Sequence, residues 1–397
     1  MPRVKCLRCQ KAETILKAGF VRGKQRFFCK ECNYHFILAK DRQFERKRKK
    51  NAATTIIDIA KIMGVSGATV SRALKDHPDI SLGTRNAIKK MAEELNYQPN
   101  SLAQSLTRRE THTIGVIIPN IETSFFTSIL TGIQNKASDA GYKVMISQSK
   151  ESHHTEVSHT HAFINNRVDG LIICHTKETK SFDHIKLCLR NGIPVIHFDR
   201  VCNELETSQV LLDDVNGAYL ATEHLLMQKC KRVLFISGPE HLNICKDRLS
   251  GYKKALKKFN IAFDPELVCN TDLTIESIIN NVDVILRKDQ SVDAIFSISD
   301  IGAVHIIAHL KKKGIKIPQQ VCIAGFGNDS IGEFIEPSLT TFDPHTVKIG
   351  ETAAQLFFDQ IFSDEEFMPK RKVVKGNLLI RSSTKRRHFN VSKRNLG

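Results

Sequence analysis

The chain has 397 residues, 41% of them hydrophobic, and a formal net charge of +17. That length suggests two to three domains with enough chain to bury a core. No apolar run approaches 18 residues and the opening MPRVKCLRCQ has no apolar signal segment, so a cytoplasmic chain without a membrane span is expected.

The charge is unevenly placed. Residues 1–110 carry 24 Lys+Arg against 10 Asp+Glu, residues 111–380 carry 29 against 32, and the last 17 residues add six basic side chains and no acidic one. A basic head on a nearly neutral body is expected of a nucleic-acid-binding module joined to a part with another task.

In chain order, residues 1–40 come first, with Cys6-x-x-Cys9 and Cys29-x-x-Cys32 separated by 19 residues. Two such knuckles point four thiolates at one ion, so a structural Zn²⁺ site is expected. The stretch between them alternates in character, with Gly19 and Gly23 as turn formers of a small β-hairpin. So short a segment has little core, and the metal would supply much of its folding energy. A redox pair or four unrelated thiols are the alternatives. The other seven cysteines are scattered in apolar contexts and read as small buried hydrophobes.

Residues 41–53 form a basic connector. The segment 54–99 then begins TTIIDIAKIMGVSGATVSRAL. Ile56, Ile59, Ala60 and Met63 line one face of a short helix, Gly64 supplies a turn, and Ser66 caps a second helix with Val70 and Leu74 inward. Helix, tight turn and helix make a helix-turn-helix, or else an ordinary helical hairpin. In the first reading Ser66, Gly67, Ala68, Thr69, Ser71 and Arg72 face the major groove.

From Thr111 onward, apolar strands such as TIGVIIP, DGLIICH, IPVIHFD, RVLFISG and VCIAGFG alternate with amphipathic helices. This predicts parallel sheet covered on both faces, arranged as two doubly wound lobes over residues 111–384, followed by a basic tail, 385–397. The predicted fold is therefore multidomain. It comprises a small four-cysteine zinc ribbon, an all-α headpiece and an α/β two-lobed body with parallel sheets.

IIDIAKIMGVSGATVSRAL, ELNYQPNSLAQSL, THTIGVIIPNIETSFF, DRLSGYKKAL, AIFSISD and VCIAGFGNDS together resemble the lactose-repressor (LacI) family from about Thr54 to Thr384. The resemblance implies a homodimeric repressor of a double-stranded DNA operator. Its body would be like periplasmic sugar-binding proteins, with the chain crossing three times between lobes. Residues 100–110 would form a hinge helix in the minor groove, with Asn100 and Ala103 matching and Leu106 wedged into a base step.

The resemblance further implies effector contacts at Phe125 and Phe126, at Arg248 in the R-x-x-G-Y block and at Asp300, with Asp199 and Arg200 as additional candidates. Such a set suits a carbohydrate, with aromatic faces for the ring and charged groups for hydroxyls. Phe125 and Phe126 could equally be core, and Arg248 with Asp300 a structural ion pair. Gly67 and Ala68 depart from the family, where larger side chains read bases, so direct reading shifts to Thr69, Ser71, Arg72 or another element.

No dinucleotide fingerprint, P-loop or H-E-x-x-H is present, so no enzyme is expected. The histidine-rich HHTEVSHTH (153–161) reads as a solvated helix start rather than a metal site. Residues 4–38 also resemble the zinc ribbon of insertion-element transposition proteins. That ribbon is associated with DNA binding, to which Arg22, Lys24, Arg26 and Lys30 would contribute phosphate contacts. Docking of a partner protein is the alternative for the ribbon. For the chain as a whole, the alternatives are a transposition-associated DNA-binding protein or an activator of the same family.

Overall fold

The computed structural model describes residues 5–6, 8–9, 11–21, 24–37, 54–98, 110–363 and 368–386. The chain divides into two compact units, residues 1–100 and 101–397. The hinge positions Asn100, Ala103 and Leu106, the basic connector, the distal tail and Arg22 lie outside the described residues.

In the first unit β1 (Ile15–Val21), β2 (Lys24–Cys29) and β3 (Tyr34–Ile37) form a three-stranded antiparallel sheet in that order. Gly19 is not the turn former that the sequence suggested. It lies inside β1 at φ 80°, where the register with β2 slips between Lys17 and Phe20. A residue without Cβ accepts that left-handed backbone at a bulge. Among the described residues the hydrophobic cluster here is small, with Cys6 and Cys29 at its centre and Ile15, Phe27, Cys9 and Cys32 around them.

The same unit contains α1 (Ile56–Met63), α2 (Gly67–Leu74) and α3 (Leu82–Glu94). Thr55 and Asp58 make a reciprocal capping box at the start of α1, and left-handed Gly64 ends it. Ile59, Ala60, Val70, Ala73, Ile88 and Ala92 are the shared core, so the faces read from the sequence are the ones buried.

In the second unit the strands are β4 (Thr113–Ile118), β5 (Lys143–Gln148), β6 (Gly170–Ile173), β7 (Val195–Phe198), β8 (Ser208–Leu212), β9 (Val233–Ser237), β10 (Val268–Asn270), β11 (Ala294–Ser297), β12 (Cys322–Phe326), β13 (Thr340–Asp343), β14 (Arg371–Val374) and β15 (Asn377–Leu379). They form two six-stranded sheets, β14-β8-β7-β6-β4-β5 in one lobe and β10-β9-β11-β12-β13-β15 in the other. Every pairing is parallel except β13 with β15, an edge that the reading of parallel sheet did not anticipate.

Interior strands β4, β6, β7, β8, β9, β11 and β12 are almost wholly buried, which accounts for their unbroken apolar runs. The helices between them are α4 (Ser124–Asp139), α5 (His153–Asn165), α6 (Asp183–Arg190), α7 (Asp214–Met227), α8 (Asn243–Lys258), α9 (Ile275–Lys288), α10 (Asp300–Lys312), α11 (Ile331–Phe334) and α12 (Thr346–Ile361).

Since β8 and β14 belong to one sheet and β13 and β15 to the other, the chain crosses between lobes after Leu212, Asp343 and Val374. Gly132 of α4 and Gly350 of α12 let those helices touch. A Cβ on either would run into backbone of the other helix, at Val347 O and Ile129 O respectively. No helix among the described residues is long and apolar enough to cross a membrane.

Candidate DNA-binding and effector sites

The four N-terminal cysteines converge. Cys6 Sγ lies 3.5 Å from Cys32 Sγ and Cys9 Sγ lies 3.6 Å from Cys29 Sγ. One ligand atom from each falls within 4.8 Å of the others. Tetrahedral Zn–S bonds near 2.3 Å separate the sulfurs by about 3.8 Å, so the constellation fits a single ion with little rearrangement. The Arg8 N–H points at Cys6 Sγ (3.4 Å), and the backbone amide of Cys32 holds the Cys29 thiol below its ordinary value. Both favour thiolate, the form that binds metal, at Cys6 and Cys29, while burial pushes the Cys32 thiol up to about 12.

In the headpiece, Ser66 caps α2 by accepting the Thr69 N–H at 3.1 Å, and the two hydroxyls meet at 2.8 Å. Thr69 is thereby committed to the cap. Ser66, Ala68 and Arg72 are exposed, whereas Gly67, Thr69 and Ser71 are half-buried. A Cβ at Gly67 would meet only Ile56 Cγ2, at 3.6 Å, so packing does not demand the glycine. Arg72 is the one long side chain in the set and has no hydrogen-bond or ion-pair partner among the described residues. That leaves its fork of donors available to a base edge.

Between the lobes lies a cavity of about 230 Å³. All six sequence-nominated residues, Phe125, Phe126, Asp199, Arg200, Arg248 and Asp300, line it. The strand ends and helix starts put them there. Asp199 and Arg200 follow β7, Phe125 and Phe126 open α4, and Asp300 opens α10. The lobes touch across this cavity. Asp329 Oδ2 accepts the Ser124 N–H (3.1 Å), and Asn243 donates from Nδ2 to the Asp199 carbonyl (2.9 Å).

Arg248 does not pair with Asp300. Its Nε donates to Asp214 Oδ1 at 2.8 Å, Nη1 donates to the Ile298 carbonyl, and the guanidinium carbon stacks 3.6 Å from the centre of the Phe326 ring. Asp300 is held separately, accepting from Thr341 Oγ1 (2.6 Å) and the Asp329 N–H (2.8 Å). Burial pushes its carboxyl up to about 7. Arg200 reaches both oxygens of Glu151, at 2.8 and 2.9 Å.

The sequence did not single out Asn120, Thr123 or Glu151, which also line the cavity. Thr123 Oγ1, Asp199 Oδ1 and Arg200 Nε are buried without a hydrogen-bond partner. All three belong to residues that line the cavity. The other lobe contributes apolar side chains, Ile244, Leu273, Ile278 and Phe326, beside the charged Arg248, Asp300 and Asp329.

Residues 55–100 match the family model described as bacterial regulatory proteins, lacI family. Residues 111–388 match that of periplasmic binding proteins and sugar binding domain of LacI family. The chain is 32% identical over 340 residues to the HTH-type transcriptional repressor CytR of Escherichia coli K12, covering 86% of this chain and 99% of that one. It is also 32% identical to the ribose operon repressor of Halalkalibacterium halodurans, over 84% of this chain and 97% of that one. A solved transcriptional regulator, CelR in complex with cellobiose, superimposes with a TM-score of 0.63 at 26% identity, covering 83% of this chain and 99% of that one.

Proposed function

Since the chain belongs to the lacI family of bacterial regulatory proteins and is a DNA-binding transcriptional regulator, we propose that it is a cytoplasmic, homodimeric repressor without catalytic activity. A sugar derivative bound between its lobes sets its operator affinity. The observation that carries the effector class is the mixed lining of the cavity. Thr123, Asp199, Arg200, Arg248 and Asp300 offer polar groups, and Phe125, Ile244, Leu273 and Phe326 offer apolar surface. A bare polyol would leave the apolar side chains uncovered. A sugar carrying an apolar or aromatic group would use both kinds of side chain. The ribose operon repressor and the cellobiose-bound regulator are kin whose names carry a sugar.

Phe125, Phe126, Asp199, Arg200, Arg248 and Asp300 would contact this effector. A ligand shifts the arrangement of the lobes only through contacts that differ between arrangements. The Ser124–Asp329 and Asp199–Asn243 hydrogen bonds are contacts that change when the lobes move. On DNA, Ser66, Gly67, Ala68, Thr69, Ser71 and Arg72 would enter the major groove, with Arg72 reading bases. Asn100, Ala103 and Leu106 would open the minor groove. Cys6, Cys9, Cys29 and Cys32 would hold Zn²⁺, folding a ribbon that lengthens the DNA footprint.

Thermal unfolding of the full chain with a panel of free sugars, glycosides and nucleosides tests the effector class. One sugar derivative should raise the midpoint by several degrees. A panel in which only bare sugars act would assign the apolar side chains of the lining to packing alone.

A further inference from the structure

A second polar cluster lies inside the first lobe, outside the cavity lining described above. Glu156, in the first turn of α5, is 0% exposed. Its Oε1 faces His175 Nδ1 at 2.9 Å and His184 Nε2 at 2.8 Å. Its Oε2 accepts the Thr176 N–H at 2.7 Å and Thr179 Oγ1 at 3.0 Å. Behind His175, its Nε2 lies 2.9 Å from His197 Nδ1. The three histidines are at most 4% exposed. The solvated helix start expected of HHTEVSHTH therefore fails at Glu156. Its partners come from elsewhere in the chain, although His154 and His161 are indeed exposed.

A carboxylate this deep is costly unless it is paired, and all its polar neighbours here are imidazoles, an amide and a hydroxyl. Glu156 Oε1, His175 Nδ1 and His184 Nε2 come from α5, from the loop after β6 and from α6. They lie within 4.8 Å of one another, as the ligand atoms of the four-cysteine cluster do. Two imidazoles and one carboxylate are a known zinc donor set. Bonds of about 2.0–2.1 Å would set ligand atoms about 3.4 Å apart, so the two carboxylate–imidazole separations need to open by about half an ångström. The outer contacts suit a ligand set as well. His197 backs His175, while Thr176 and Thr179 fix Glu156, the kind of orienting hydrogen bonds that surround metal ligands. His197 Nε2 and His153 Nδ1, beside this cluster, are buried without partners.

We propose that Glu156, His175 and His184 bind a divalent cation of the zinc type, a second metal site distinct from the cysteine ribbon. The loop that carries His175 also meets the other lobe. Lys177 donates from Nζ to the Asp272 carbonyl (2.6 Å), and its own carbonyl lies 2.8 Å from His241 Nε2. Its N–H donates to Glu151, the partner of Arg200 at the cavity. Metal occupancy thus pins the segment that bridges the lobes, and it should tighten effector binding. That second consequence rests on the effector reading; the metal site does not.

The test uses the full chain with Cys6, Cys9, Cys29 and Cys32 all changed to serine, so that the ribbon contributes no metal. After stripping, titration with Co²⁺ should saturate at one equivalent per chain, with d–d absorption and no thiolate-to-cobalt charge transfer. Zn²⁺ should displace the cobalt and raise the unfolding midpoint by several degrees. His184→Gln should abolish both effects, while His154→Ala with His161→Ala should leave them intact. A folded four-serine chain that takes up no cobalt overturns the proposal, as does uptake unaffected by His184→Gln. If His184→Gln does not fold, uptake that survives His154→Ala with His161→Ala and lacks a thiolate band supports the site; uptake lost with those two exposed histidines overturns it.

Discussion

Arg248 Nε donates to Asp214 Oδ1 at 2.8 Å beneath the effector cavity, and the two side chains are 6% and 2% exposed. Arg248 is therefore a structural pillar as well as a cavity residue. Its Phe326 stacking and the Ile298 carbonyl fix the guanidinium plane. Removing one partner of such a pair strands the other charge. Arg248→Ala should cost about 3–5 kcal/mol of stability in urea unfolding. Arg248→Lys should recover part of that stability, but not the effector response, because an ammonium cannot reproduce the stacked, forked contacts.

Thr123 offers the opposite signature. Its hydroxyl is buried with no hydrogen-bond partner among the described residues, so Thr123→Val should be neutral or slightly stabilising in thermal unfolding. Effector affinity, read by titration, should fall about five- to tenfold, the worth of one hydrogen bond of about 1–1.5 kcal/mol. Loss of stability together with affinity would place the hydroxyl in packing rather than recognition.

Asp300 gives a pH dependence whose sign follows from its burial. Its carboxyl sits at about 7 in the folded chain against 3.8 for a free one. Between those values the folded chain keeps a proton that the unfolded chain has lost, so this residue withdraws stability as pH rises from about 4 to 7. The withdrawal is at most about 1.4 kcal/mol per pH unit. Asp300→Asn lacks it, so the variant should gain on the parent through that window in paired urea titrations. Parallel curves would show that Thr341 and the Asp329 amide keep the carboxylate ionised.

For the ribbon, Cys29→Ser with Cys32→Ser should remove one equivalent of zinc per chain and shorten the footprint on DNA. Among the described residues the hydrophobic cluster there adds only Ile15 and Phe27 to the cysteines, so the segment should also lose its protection from protease. Unchanged zinc content in that variant would refute the four-cysteine site.

The headpiece was legible because its signals are local. Thr55, Ser66 and Ser81 cap the three helix starts and Gly64 ends α1, each within a few residues of the apolar faces they bound. The buried strands were legible for the same reason. The cavity's membership could be read through family blocks, but its pairings could not. Nothing near Arg248 in sequence announces Asp214, 34 residues away. His175 and His197 looked like strand ends in DGLIICH and IPVIHFD. They meet because β6 and β7 pair with Ile173 opposite His197. Networks fixed by tertiary register leave no local trace, and that is where Glu156 was misread as solvated.

The central claim, operator binding governed by a small molecule between the lobes, is tested most directly by selecting bound DNA fragments in vitro with the full chain, with and without candidate sugar derivatives. Palindromic fragments should be enriched, and one sugar derivative should change their occupancy at least tenfold, an effect that needs about five- to tenfold more of the derivative in Thr123→Val. Selection of a defined DNA sequence whose occupancy no small molecule alters would contradict the account.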